Sequence, residues 1–206
     1  MRRVPTLTFD ELYHVGSMDP AHKGDSSFEG AGLSVSLHPD EWRRIGRGVV
    51  GGDLWRLTKP GNKFVAAHDV DTGAVMEWAA SNGYVTEADT WRVWMDSEEE
   101  ERDSYFVFDK EEDARRELDD DTPEDYLESV RGFLATDKLR KAVGRLRIDP
   151  VMVPDLTLTV FAEENGFDGV WWEDDLDVRQ LSAPRGVISP RRLGEWTIER
   201  IEDMVS

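Results

Sequence analysis

The sequence lacks cysteine altogether, and it contains only four histidines. The first absence excludes disulfides, thiolate nucleophiles and cysteine-ligated zinc or iron–sulfur sites. The histidines are too dispersed to predict a metal site, since they stand at His14, His22, His38 and His68. We therefore expect no metal, and we expect a reducing compartment.

Long apolar stretches are also missing. No run approaches the roughly 18 apolar residues that would cross a bilayer. The segment after Met1–Pro5 is polar and lacks the apolar run of a signal peptide. We expect a cytoplasmic protein that does not contact the membrane.

Common catalytic motifs are absent. The sequence has no phosphate-binding Gly-rich loop ending in Gly-Lys-Ser/Thr and no Gly-x-Ser-x-Gly nucleophile turn. Residues 46–51 have the spacing Gly-x-Gly-x-x-Gly. They precede a predicted strand, however, and do not connect a strand to a helix, so we interpret them as a loop.

Basic residues are scarce compared with acidic ones. The chain has 25 Lys and Arg against 44 Asp and Glu, for a formal charge of −19. Such a charge disfavours direct binding to nucleic acid or anionic lipid. Residues 96–128 alone hold 17 acidic and 4 basic residues. This acidic segment is either a solvated face or a docking surface for a basic partner.

The length of 206 residues favours one domain spanning 1–206, with the acidic segment within it. Strands and helices are mixed without regular βαβ alternation, so the predicted class is α+β. The hydrophobic and turn patterns predict strands over 12–16, 32–37, 90–95, 105–108, 167–172 and 185–188, a hairpin over 53–66, and helices over 72–82 and 156–165.

A long helix is predicted over 122–147. Thr122 can cap it, Pro123 suits its first position, and apolar residues follow at nearly helical spacing. Its second half is basic, which suits the negative end of a helix dipole.

Three segments carry the strongest functional signal: Tyr13-His14-Val15-Gly16-Ser17, Gly32-Leu33-Ser34-Val35-Ser36, and Gly166-Phe167-Asp168-Gly169-Val170-Trp171-Trp172-Glu173-Asp174. In this order they resemble the three motifs of the ADP-ribosyltransferase fold in its histidine-bearing form. The pattern is most similar to small phage-type members, including anti-CRISPR ADP-ribosyltransferases. The resemblance implies a split mixed sheet flanked by helices, with the acidic segment as an insertion.

The resemblance also implies a site for NAD⁺. His14 would bind the adenosine ribose, and the Gly16 backbone would hold the nicotinamide amide. Ser34 and Ser36 would shape the cleft, and Trp172 can stack on a ring of NAD⁺. Asp174 would be the catalytic carboxylate that stabilises the oxocarbenium-like centre, with Glu173 as its rival.

Each segment has a simpler interpretation as well. His14 can be a hydrogen-bonded core histidine, the serines the polar face of a strand, and the tryptophans core packing. Many family members also carry a glutamate before a later strand, whereas residues 182–188 contain no acid. A non-catalytic domain therefore stays open.

Two functions follow from these alternatives. The first is NAD⁺-dependent transfer of ADP-ribose to a protein target with a basic surface, in a microbial conflict role such as phage counter-defence within the host cytoplasm. The second is a non-catalytic acidic protein that blocks a basic, nucleic-acid-binding partner by occupying its surface.

Overall fold

The structure, a computed structural model, describes residues 4–19, 32–40, 53–95, 104–118, 126–174 and 184–201. Its strands are β1 Thr6–Leu7, β2 Leu12–Val15, β3 Leu33–Ser36, β4 Leu54–Thr58, β5 Phe64–Ala66, β6 Val85–Met95, β7 Ser104–Phe108, β8 Tyr126–Ala135, β9 Gly169–Trp172, β10 Arg185–Ile188 and β11 Thr197–Ile201. Its α helices are α1 Thr72–Ser81, α2 Glu111–Glu117, α3 Asp137–Val143 and α4 Val153–Glu164, and 3₁₀ helices cover Pro150–Met152 and Pro190–Glu195. The predicted α+β class is confirmed.

The chain divides into two compact units. One, the eight-stranded unit, comprises Met1–Asp71 and Leu158–Ser206, and the other, the three-stranded unit, comprises Thr72–Thr157. The single domain predicted from the length stays a prediction.

The larger sheet has the strand order β1-β5-β9-β10-β3-β2-β4-β11. Its neighbouring strands are antiparallel except for β5 and β9, which are parallel. One face carries an apolar cluster, because alternate residues of each strand point to the same side. The core residues are Leu12, Leu33, Val35, Leu57, Phe64, Trp171, Ile188 and Trp196. The other face carries further buried residues, Val65, Val170 and Val187.

The hairpin predicted over 53–66 is wrong in its pairing. Both strands form, and the turn between them contains Gly61 at φ +69°, a value that favours glycine. However, β4 pairs with β2 and β11, while β5 pairs with β1 and β9. The conformation of the turn depends on the residues within it, but the strand with which β4 or β5 pairs depends on strands distant in sequence.

An ion pair joins the partly exposed Lys59 to the buried carboxylate of Asp168, next to the start of β9. The ammonium of Lys59 contacts the carboxylate of Asp168, which is 5% exposed, and lies 2.6 Å from Glu195. The second oxygen of Asp168 accepts the backbone N–H of Lys63 at 2.8 Å. Burial opposes the charge on Lys59, but the hydrogen bonds to Asp168 and Glu195 outweigh it and raise the pKa of Lys59.

The three-stranded unit has β6 in the centre, antiparallel to β7 and β8. Helix α1 ends in a Schellman motif, in which Gly83 has φ +73° and the N–H of Tyr84 donates to the carbonyl of Ala79 at 2.9 Å. Thr136 caps α3 by accepting the N–H of Leu139.

The long helix predicted over 122–147 is wrong. Residues 126–135 form β8, which pairs with ten consecutive residues of β6, and only Asp137–Val143 is helical. The pairing outweighs helical spacing, since β propensity depends on cross-strand packing. Gly132 was the sequence signal against a helix, because glycine inside a helix is unfavourable by about 1 kcal/mol.

The acidic segment is only partly described. Helix α2 lies within it, and exposed pairs join Arg115 to Glu111 and Arg116 to Asp113. The glycine-rich segment 46–51 and much of 96–128 lie outside the described residues.

Candidate functional site

The three motif segments lie on neighbouring strands of the larger sheet. The order β9-β10-β3-β2 brings together residues near both ends of the chain. Trp172 is opposite Arg185, Arg185 is opposite Ser36, and Ser36 is opposite Tyr13. Directly opposed residues share a face, so these four side chains form one row on the face opposite the apolar core.

Asp174 lies at the end of this row. Its carboxylate is ion-paired with the guanidinium of Arg185, and both side chains are about one-fifth exposed. The second oxygen of Asp174 is 3.6 Å from Nε2 of His68, which is largely exposed. The guanidinium of Arg185 also lies 5.8 Å from the ring centre of Trp172, within cation–π range.

Glu173 points to the other face. Its carboxylate accepts the indole N–H of Trp171 at 2.8 Å, and Trp171 is a buried member of the apolar core. The two rival carboxylates therefore have different surroundings. Asp174 belongs to a charged cluster with an aromatic ring, whereas Glu173 accepts the hydrogen bond of Trp171, a side chain of the core.

His14 fixes the ends of two strands. Its Nδ1 is 2.7 Å from the carbonyl of Ser34, and its Nε2 is 2.8 Å from the carbonyl of Ser17. Both acceptors are carbonyls, so a neutral ring makes one of these bonds and an imidazolium makes both. The role of His14 in ribose binding stays a prediction.

Gly16 follows directly, with φ +121°, which favours glycine. Its N–H donates to the carbonyl of Asp53 at 3.0 Å, and its carbonyl accepts the indole N–H of Trp55 at 3.0 Å. Both polar atoms of this backbone unit thus have partners within the protein. Nicotinamide binding here would require an exchange of these bonds or use of the second carbonyl lone pair.

The two serines differ. Ser36 is fully buried, donates to the carbonyl of Pro184 at 3.2 Å and accepts the N–H of His38 at 3.0 Å. Ser34 is half-buried, and its carbonyl is the acceptor for His14. Ser36 therefore joins β3 to the residue that precedes β10, while Ser34 borders the place where β2 and β3 cease to pair.

Sequence reasoning missed two members of the cluster, Arg185 and His68. An antiparallel pairing of 169–172 with 185–188 would have placed Arg185 opposite Trp172. His68 had no comparable signal, because it reaches Asp174 through the parallel pairing of β5 with β9, in which Ala66 is opposite Trp171.

The cluster has the chemistry to bind a phosphate-bearing molecule with an aromatic ring. A guanidinium can bind phosphate in a bidentate manner, an indole can stack on a ring, and a carboxylate can stabilise developing positive charge. Within the described ranges, no group of three or more His, Asp or Glu side chains is arranged to hold a metal ion. The helices in those ranges include none with the length and apolar character needed to cross a membrane.

Comparisons with known proteins gave no matching family model, no matching curated protein and no matching solved structure.

Proposed function

We propose that this protein is an NAD⁺-dependent ADP-ribosyltransferase that modifies a protein with a basic surface, in a microbial conflict role such as phage counter-defence. The observation that carries the proposal is the row formed by Trp172, Arg185 and Asp174. It combines, on one sheet face, groups suited to the aromatic rings, the pyrophosphate and the reacting ribose of NAD⁺. The motif strands that suggested this activity are also neighbours in the sheet.

The proposed reaction breaks the bond between nicotinamide and C1′ of the ribose. Nicotinamide leaves with the bonding electron pair, and positive charge develops on the ribose. Asp174 stabilises that charge, and a nucleophile of the target then bonds to C1′ and loses its proton. Arg185 pairs with the pyrophosphate, which requires it to release Asp174.

The geometry favours Asp174 over Glu173 as the catalytic residue. Asp174 shares its surroundings with Arg185 and Trp172, whereas Glu173 is bonded to the core residue Trp171. Removing a preorganised charge near a developing cation costs about 3 to 4 kcal/mol, or roughly a hundred- to thousandfold in rate.

The test compares Asp174→Asn with Glu173→Gln, two isosteric changes at adjacent residues. We expect the wild type to release nicotinamide from NAD⁺ in the presence of a total protein extract, as measured by chromatography. We also expect biotinylated ADP-ribose to stay on a target protein under denaturing conditions. Asp174→Asn should lower both signals at least about a hundredfold, while Glu173→Gln should change them only a few-fold. Equal losses would contradict the assignment of Asp174.

One observation favours the second function, a non-catalytic acidic protein that blocks a basic partner. Asp174, Glu173 and the Gly16 backbone all have partners within the protein, so no ligand is needed to satisfy them. Charge-driven blocking should weaken steeply as salt rises and should leave no covalent label. Absence of nicotinamide release from the wild type, together with salt-sensitive binding of a basic protein, would replace the first proposal with the second.

A further inference from the structure

The three-stranded sheet has one long edge strand. Its strand order is β7-β6-β8, so β6 is paired on both sides, whereas β8 is paired with β6 on one side only. β8 has ten residues, while the other edge strands of the two sheets, β1, β7 and β11, have five or fewer. Within the described residues, no strand pairs with the outer side of β8. The backbone N–H and C=O groups of such an edge can pair with a further strand.

The sequence of β8 does not protect this edge. Lysine and proline commonly prevent an edge strand from pairing with another chain, and residues 126–135 contain neither. The two charged side chains of β8 both bond to β6. Arg131 is 3.0 Å from Glu87, and Glu128 accepts the indole N–H of Trp94 at 3.1 Å. These charges are therefore held against β6, and the outer side of β8 stays open to a strand.

Apolar side chains lie along both faces of β8. Leu127 and Phe133 are on one face, Val130 and Leu134 are on the other, and all four are half-buried. A strand added beside β8 would remove more of this apolar surface from water, which favours association. The added strand must itself present apolar residues at matching positions.

A second copy of β8 meets this requirement. In a two-fold symmetric pair of antiparallel strands, one residue is opposite its own copy, and the other opposed residues are equally distant from it. With Val130 at the centre, Leu127 of each copy is opposite Phe133 of the other. The same register places Glu128 opposite Gly132, where no charge or large side chain opposes it. Two apolar pairs thus flank a central valine pair.

The neighbouring registers are less favourable. A centre at Arg131 would place two like charges directly opposite each other, which destabilises a strand pair. A centre at Ser129 would place Arg131 opposite Leu127. The register centred on Val130 avoids both arrangements.

The charges on either side of β8 favour an antiparallel pair over a parallel one. The seven residues that precede β8, 119–125, include five carboxylates and no cation. Residues 137–147, which comprise α3 and the four residues after it, contain five cations and one carboxylate. In an antiparallel pair the start of each strand lies beside the end of the other, so opposite charges meet. A parallel pair would bring like charges together at both ends.

We propose that the protein forms a symmetric dimer through β8, in which the two strands pair in an antiparallel manner with Val130 of each copy opposite Val130 of the other. The two three-stranded sheets then form one sheet of six strands. The dimer does not depend on the proposed transferase activity.

The first test measures the mass of the intact protein by sedimentation equilibrium. We expect the wild type to have twice the mass of one chain at about 100 μM. Phe133→Lys places a charge at the open edge and should raise the dissociation constant at least about tenfold. Phe106→Lys is the matched control, because Phe106 lies on β7 at the opposite edge of the same sheet and is 47% exposed. It should leave the dimer unchanged.

A second test does not depend on how well Phe133→Lys folds. The chain has no cysteine, so a single introduced cysteine can form a disulfide only with a second copy. Val130→Cys should form a covalent dimer on mild oxidation, because residues directly opposite in a sheet are within disulfide distance. Ser129→Cys is the control. Ser129 is more exposed than Val130, but in this register it is opposite Arg131, and its own copy is too far for an unstrained disulfide.

Four results would each overturn the proposal. These are a monomeric wild type at about 100 μM, equal weakening of the dimer by Phe106→Lys and Phe133→Lys, no disulfide in Val130→Cys, and a disulfide that forms as fast in Ser129→Cys as in Val130→Cys. A monomeric wild type would leave the edge of β8 to a strand of a different protein.

Discussion

Two ion pairs, one in each unit, differ in how far their side chains are exposed. In the eight-stranded unit, the side chains of Lys59 and Asp168 are 19% and 7% exposed, and the pair joins segments 109 residues apart. In the three-stranded unit, described pairs such as Arg131 with Glu87 lie at the surface, with 67% and 56% of the side chains exposed. Buried pairs cannot lose one partner without leaving a charge away from water, whereas exposed charges are rehydrated. The same substitution should therefore have very different effects at these two pairs.

The largest effect is expected for Lys59→Met. This change leaves Asp168 buried with the Lys63 N–H as its remaining described partner, and it should lower the free energy of unfolding by about 3 kcal/mol. Urea denaturation measures the loss. Arg131→Met is the control in the three-stranded unit, and we expect it to cost less than about 1 kcal/mol. Similar losses in both variants would show that the exposure of an ion pair does not decide how much its loss destabilises the protein.

An intermediate effect is expected from two tryptophans in the apolar core of the eight-stranded unit. The indole N–H of Trp171 donates to Glu173, whereas that of Trp196 is buried without a partner among the described residues. Replacing Trp171 by phenylalanine removes a hydrogen bond, whereas replacing Trp196 by phenylalanine removes a buried donor that has no such bond. Trp171→Phe should therefore be less stable than Trp196→Phe by about 1 to 2 kcal/mol.

The comparison is made by urea denaturation of both variants, which have the same change in side-chain volume. A third variant, Glu173→Ala, should be destabilised because it leaves the Trp171 donor buried and unsatisfied. Equal stability of the two Trp→Phe variants would show that the Glu173 hydrogen bond adds nothing to the core.

The sequence predicted features that depend on neighbouring residues. Glycine at 83 and 166 marked the ends of α1 and α4, and both residues have positive φ. The short strands β2, β3 and β10 were confirmed for the same reason, since aromatic and β-branched residues favour strands, and glycine flanks β2 and β3.

The sequence did not allow us to predict which strands pair with each other. The pairing of β6 with β8 replaced a predicted helix, and β4 and β5 selected partners other than each other. In the candidate site, the sequence indicated Asp174 and Trp172 but not Arg185 or His68, which reach Asp174 through pairing between distant strands.

The smallest effect is expected at Glu163 on α4. Comparing it with the adjacent Glu164 tests whether burial of a carboxylate changes how the stability of the protein depends on pH. Burial raises the pKa of Glu163 from 4.5, and the nearby Arg191 opposes this only in part. A carboxyl whose pKa is higher in the folded state makes the protein lose stability as pH rises from about 4.5 through the folded pKa. Glu163→Gln has no such loss, so its stability relative to wild type should increase between pH 4 and pH 7, by no more than about 1 kcal/mol.

Glu164→Gln is the matched control, because Glu164 is 39% exposed and contacts the same Arg191. The difference in urea midpoint from wild type should change more across this pH range for Glu163→Gln than for Glu164→Gln. If the two variants follow the same curve, the pairing with Arg191 determines the behaviour of both carboxylates and burial does not.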